Sequence, residues 1–159
     1  GFLVGKDYER QAIIKKGSQL INAVSNSTVP HISFIVGASY GAGTYAMSGR
    51  AFNNRFIFTW PSAKIAVMGP KQFAGVMSIV RKAKAKRKGE KFDEKGNKQL
   101  VEFIEAIAEQ ESLALSASSM LTDDGIIDPR DTRNVLGFCL SVIDNNEVKG
   151  ADGYGVFRL

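Results

Sequence analysis

Apolar and polar positions alternate along the chain in blocks that predict strands leading into helices. In residues 7–24, Ile13, Gly17, Leu20, Ile21 and Val24 share one helical face, and Asp7 can cap its start. Asn26, Ser27, Thr28 and Pro30 end that helix and feed an apolar run from Ile32 to Val36, which reads as a buried strand. Small residues and glycines follow, and a small-residue helix is expected through about Ala51. After the Asn53-Asn54 turn, RFIFTW predicts a second strand and AKIAVM a third, short one. Gly69-Pro70 then opens a helix to about Ala85, with proline placed in its first turn.

Helical spacing returns from Asn97 to about Leu121, with Leu100, Phe103, Ile104, Ile107, Leu113 and Leu115 on the apolar side. Gly125–Ile127 predicts a short strand. A last helix follows, with Asp128 as cap and Pro129 at its first position. Cys139 lies inside that helix among apolar neighbours and reads as an inert core thiol. Residues 1–5 read as the end of a strand that begins upstream, and about 150–159 as a loose tail that docks on a partner. Short strands alternating with many helices give an α/β layered domain, taken as one unit over 1–159.

Chain-wide numbers narrow the function classes. The chain has 159 residues, 44% hydrophobic, enough for one core. No apolar run reaches the length of a membrane-spanning helix, so no membrane role is expected. The chain opens at GFLVG without an initiator Met, as a fragment or processed product would. The single cysteine excludes an internal disulfide framework and a multi-cysteine zinc site, no metal is expected, and a reducing compartment is. Charge is concentrated: residues 81–98 carry nine Lys/Arg against three Asp/Glu, a local +6 within a net +5. This basic helical segment reads as a solvated face or as a contact for phosphates or an acidic partner. No helix-turn-helix, zinc or RNP pattern accompanies it, so nucleic acid is not the expected partner.

A missing charge is more informative. Between Glu9 and Glu90 there is no Asp or Glu, and the one histidine, His31, sits at the wrong end of its strand. Chemistry in this region therefore has neither a local carboxylate base nor a Ser-His-Asp triad. Its candidate is the stretch HISFIVGASYGAGTYAMSGR, residues 31–50, where a strand ends in glycines and turns into a helix with unpaired N–H groups. A P-loop would need a lysine after Ala42, and Gly43 stands there instead. Gly41, Gly43 and Ala46 match the dinucleotide pattern G-x-G-x-x-G/A, but no acidic residue follows about 20 positions on. An oxyanion hole, built from two consecutive backbone N–H groups, needs no side chain and fits the carboxylate-free stretch. Spacing alone leaves open that the glycines only let the helix pack close to the sheet.

The segments GFLVGKDYE, ASYGAGTYAMSGRA, FTWPSAKIAVMG, DDGIIDPRDTR and the terminal YGVFRL together resemble the carboxyltransferase β subunits of biotin-dependent acyl-CoA carboxylases. The similarity is greatest to the methylcrotonoyl-CoA carboxylase branch, whose turn commonly reads GAGNYGMCGRA; Thr44, Ala46 and Ser48 depart from it. The matches span nearly the whole chain in the family's order, most weakly in the lysine-rich segment and residues 97–120.

The resemblance implies a crotonase-like (ClpP/crotonase) superhelix of ββα turns, with this chain an incomplete C-terminal subdomain of the carboxyltransferase. It implies that the N–H groups of Ala42 and Gly43 form a hole for the ureido oxygen of biotin. Tyr40, Gly41, Thr44 and Tyr45 would line the pocket, with Thr44 and Tyr45 bearing on acyl preference, and residues 66–70 would buttress it. Carboxybiotin on a carrier domain would release CO2, and the biotin anion would take the acyl-CoA proton. The thioester enolate would then attack CO2 through its α- or γ-carbon. The implied partners are acyl-CoA, the biotin carboxyl carrier and biotin carboxylase subunit, and the N-terminal half of a second protomer in a homo-oligomer, so the segment alone is expected to be inactive. The implied compartment is the cytoplasm in a prokaryote or the mitochondrial matrix in a eukaryote. Two alternatives stay open: a biotin-dependent decarboxylase subunit of the glutaconyl-CoA type, and a non-catalytic piece that only assembles.

Overall fold

The computed structural model describes residues 2–151 and 153. Its organising unit is a pair of short strands followed by a helix, used twice in succession. In the first turn, β1 (Ile32–Ile35) and β2 (Ala38–Tyr40) lead into α3 (Gly43–Ala46). In the second, β3 (Phe56–Thr59) and β4 (Lys64–Ala66) lead into α4 (Pro70–Lys88). β1 pairs in parallel with β3, Ile32 opposite Phe56 and Ile35 opposite Thr59, and β2 pairs in parallel with β4, Ala38 opposite Lys64 and Tyr40 opposite Ala66. Parallel pairing requires a crossover between partners, which α3 and the turn after it supply. The corner between the layers is kept in register by Trp60 N–H donating to Ile35 O (2.9 Å) and Lys64 N–H to Gly37 O (3.3 Å).

A third pass of chain lies against β3. Asp124 N–H donates to Ile57 O, Thr59 N–H to Gly125 O and Ile127 N–H to Thr59 O. Residues 125–127 thus contribute a parallel bridge, Thr59 to Ile126, where the sequence predicts a strand. Asp124 also accepts from Ile57 N–H (2.8 Å) and from Arg50 (3.0 Å), fastening the turn after α3 to this third pass.

The helical boundaries differ from expectation where long-range contacts intervene. The first predicted helix is two: α1 (Lys6–Arg10) and α2 (Ile13–Asn26), separated at Ala12, whose φ of +60° cannot continue a helix. Asp7 lies inside α1, and Gly5 precedes it. The small-residue helix stops at Ala46 instead of Ala51, because Ser48 takes φ +63° and Gly49 is extended. The C-terminal helical stretch divides into α5 (Glu94–Ser112) and α6 (Ala114–Ser119) at Leu113, which is extended and bridges Lys64. The basic segment is helical except at 89–93, where Gly89 at φ +68° ends α4 and Asp93 caps α5 through Gly96 N–H. Asp128 caps as predicted, accepting from Arg130 N–H, ahead of one 3₁₀ turn and α7 (Thr132–Ile143). The expected docking tail falls mostly outside the described residues.

The core is thin and made largely of small side chains, among them Ala46, Ala63, Ala74, Ala114 and Ala117 around Ile57 and Thr59. Phe34 and Phe58 stack across the β1–β3 ladder at 5.7 Å. Cys139 is buried, and burial, with the charge of Asp124 adding to it, pushes its thiol pKa up. A thiol reagent at neutral pH is accordingly expected to leave Cys139 unmodified in the native protein and to label it once denaturant is added. Labelling at the rate of a free thiol without denaturant would contradict the packing of α7.

Candidate functional site

The turn between β2 and α3 brings the six sequence-predicted residues together. Tyr40 is the last residue of β2, half-buried opposite Ala66. Gly41 takes φ +73°, a conformation that favours glycine, and its N–H donates to Ala66 O at 3.0 Å. A Cβ on Gly41 would also sit 3.4 Å from Val67 O, so residues 66–67 lie directly against the turn. Ala42 follows with φ −63° and ψ −23°, and Gly43 begins α3. Thr44 N–H returns to Gly41 O (3.2 Å) and Tyr45 N–H to Ala42 O (3.2 Å), closing the first helical turn.

Two amides are left over. Among the described residues, neither Ala42 N–H nor Gly43 N–H has a hydrogen-bond partner, from backbone or from side chain. Ala42 is exposed and Gly43 half-buried, so the turn that carries both donors lies at the surface. A positive-φ residue followed by a right-handed one turns successive N–H groups to the same side, the concave nest that accepts an anion or a polarised oxygen. The sequence attributes part of this potential to a helix dipole; with α3 only four residues long, the two local N–H dipoles carry it instead.

Ser39 is a residue that sequence reasoning missed. Its hydroxyl hydrogen-bonds that of Thr44 at 2.8 Å, clasping the strand end to the first turn of α3 around the two free amides. Ser39→Ala is expected to destabilise the protein by about 1 kcal/mol, seen as a lower denaturant midpoint with an unchanged slope. An unchanged midpoint would mean that the clasp contributes nothing.

Lys64 and Glu109 were also missed. They form an ion pair that joins β4 to α5. The hydrogen bond to Glu109 raises the Lys64 pKa, against a smaller opposing effect of burial, and Tyr40 contributes a weaker charge interaction. A carboxylate thus reaches the strand pair carrying the turn from 45 residues away in sequence, where no local pattern announces it. A Cβ added at Gly69 would sit 3.5 Å from the Tyr40 ring, so the start of α4 lies beside the turn. His31 stands away from the turn, with Nε2 hydrogen-bonded to Ser27 Oγ at 3.0 Å between α2 and β1. Among the described residues no group of three His, Cys, Asp or Glu side chains is placed to hold a metal ion. No described helix is long and apolar enough to cross a membrane.

Comparison with known proteins gives this geometry a family. A family model described as "Carboxyl transferase domain" matches residues 1–152. The whole chain is 58% identical to a probable biotin-dependent acyl-coenzyme A carboxylase beta2 subunit of Mycobacterium tuberculosis, of which it covers 30%. It is 43% identical, again over its whole length, to a mitochondrial methylcrotonoyl-CoA carboxylase beta chain of Arabidopsis thaliana, covering 27% of that protein. Among solved structures, the beta subunit of P. aeruginosa geranyl-CoA carboxylase superposes with a TM-score of 0.81 at 42% identity, over 98% of this chain and 29% of that one. The chain therefore spans less than a third of the length of these relatives. The twice-repeated ββα turn is the crotonase-like arrangement that the sequence resemblance implies. With a family model matched from residue 1 to residue 152 and identity as high as 58%, the chain belongs to the carboxyl transferase domain family of biotin-dependent acyl-CoA carboxylase β subunits.

Proposed function

We propose that this chain supplies the biotin-binding side of a carboxyltransferase that moves CO2 from carboxybiotin to an acyl-CoA. The observation that carries the reading is the pair of unpartnered N–H groups at Ala42 and Gly43. In this reading they donate to the ureido oxygen of biotin. Two fixed donors would stabilise negative charge on that oxygen more than they stabilise the neutral ground state. Biotin held there would supply the CO2 and the means of taking the acyl proton, and this chain's own part would be to hold and polarise its ureido oxygen. The cofactor supplies the base, in accord with a stretch free of carboxylates from Arg10 to Gly89. What the chain contributes is position: Gly41 turns the backbone, the Ser39–Thr44 clasp holds it, and Tyr40 and Tyr45 flank the donors.

The acyl-CoA half of the site comes, in this reading, from another protomer. Apolar side chains stand exposed near the turn, among them Tyr45 at 50%, Met47 at 71% and Val67 at 89% exposure. Surface of this kind next to a polar site is what an assembled interface covers. The relatives' names speak of β subunits or chains of biotin-dependent or methylcrotonoyl-CoA carboxylases, which fits work within a larger complex. Thr44 and Tyr45, beside the donors, are the positions assigned to acyl preference.

The test is an assay of the complex that contains this chain, with bicarbonate, ATP and methylcrotonoyl-CoA or propionyl-CoA. Carboxylation dependent on both ATP and the biotinylated carrier is the expected result. Decarboxylation without ATP dependence would reassign the chain to the reverse reaction, and assembly without either activity would reduce it to a structural part.

A further inference from the structure

The strands that carry the turn have little support of their own. β2 and β4 form a two-stranded sheet of three residue pairs, Ala38–Lys64, Ser39–Ile65 and Tyr40–Ala66, and two short strands alone are marginal in water. β4 is held at both ends. At its exit, Ala66 O accepts the N–H of Gly41, the residue that turns the backbone ahead of the two free amides. At its entry, Lys64 donates its N–H to Gly37 O, bridges Leu113 where α5 gives way to α6, and pairs through its ammonium with Glu109. The anchor is itself fixed. Glu109 lies in the last turn of α5, where the buried Ser112 hydroxyl donates to Glu109 O at 2.8 Å. A helix C-terminus also favours a cation such as the Lys64 ammonium. Only Ile65 separates the residue that α5 anchors from the residue that bonds the turn.

Resting on the functional reading above, we propose that Lys64 and Glu109 are positioning residues for carboxyl transfer: their ion pair fixes β4 against α5, and β4 fixes Gly41 so that the Ala42 and Gly43 N–H groups bear on one oxygen. Both act through the backbone and not on the reacting groups. The two side chains are 37% and 42% exposed, and an ion pair so placed adds little to global stability. Its weight is geometric, because a displacement of about 1 Å at a reacting centre can cost about 10²-fold in rate. Stability and position therefore separate in experiment.

Steady-state kinetics of the assembled protein with methylcrotonoyl-CoA or propionyl-CoA, beside a thermal melt, test the pair. Lys64→Met and Glu109→Gln are each expected to lower kcat about tenfold, with the KM for acyl-CoA and the melt nearly unchanged. Lys64→Arg, or the charge reversal Lys64→Glu with Glu109→Lys, is expected to restore most of the rate. The control, Lys149→Met, breaks an exposed pair with Glu147 and keeps the rate. An unchanged kcat in the single variants, a rise in KM alone, or a loss of rate that follows the melt and that neither rescue repairs would overturn the proposal. Hydrogen exchange of the 38–46 segment gives a readout free of activity. The Gly41 amide, bonded to Ala66 O, is expected to exchange faster in Lys64→Met and at the original rate in Lys64→Arg. Equal exchange in all variants would also overturn the proposal. If the wild-type complex carboxylates nothing while Gly41 exchange still rises, the functional reading is lost and the anchoring of the turn stands.

Discussion

Ala42→Pro is expected to slow carboxyl transfer by about 10²–10³, equivalent to roughly 2.7–4 kcal/mol of lost transition-state stabilisation, while the fold persists. The substitution suits the backbone. Ala42 has φ −63°, the value a proline ring enforces, and its N–H makes no hydrogen bond that proline would remove. The preceding residue is glycine, the residue most tolerant of the restriction that proline places on its predecessor. Stability should therefore change by less than about 1 kcal/mol, and a stiffer unfolded chain would even favour the native state. The variant removes one donor and little else. Steady-state rates beside a thermal melt would check it: a full rate with a normal melt would show that this amide takes no part, and a collapsed melt would show that the turn had been misjudged.

Gly49→Ala is expected to damage both stability and rate. The backbone at Gly49 is ordinary, with φ −72°, so conformational strain is not the reason. The reason is contact: an added Cβ would lie 2.8 Å from Thr44 O and 3.0 Å from the Cα of Tyr45. Both are backbone atoms of α3, which can yield only by moving the helix that follows the two free amides. Overpacking of this kind costs about 1–3 kcal/mol, and a shift of about 1 Å at a reacting centre can cost about 10²-fold in rate. A lower denaturant midpoint together with a lower kcat is the expected pattern. Alanine tolerated on both counts would mean that α3 is freer to move than its packing indicates.

The contrast between the two substitutions also explains what the sequence could reveal. β1, β3 and β4 were legible because runs such as ISFI and FIFT carry their own β-branched and aromatic pattern. The start of α4 at Gly69-Pro70 and the cap at Asp128 were legible because each depends on one residue's local geometry. β2 was not, since Ala38–Tyr40 has no strand pattern and exists as a strand because β4 lies beside it. The break at Leu113 likewise depends on a bridge to Lys64, far away in sequence. At the candidate site, the positive φ of Gly41 could be anticipated from its glycine, and the lack of a local carboxylate could be read directly. The premature end of α3 at Ala46, the Ser39–Thr44 clasp and the arrival of Glu109 could not, because each is a property of packed neighbours. Family resemblance named the two amides; their lack of partners is a structural finding.

Biotin bound to the assembled protein, seen crystallographically or by electron cryomicroscopy, tests the central claim most directly. The account predicts the ureido oxygen at about 2.7–3.1 Å from the backbone nitrogens of both Ala42 and Gly43. A biotin ring seated in the site with that oxygen directed elsewhere, and the two amides still facing solvent, would contradict it.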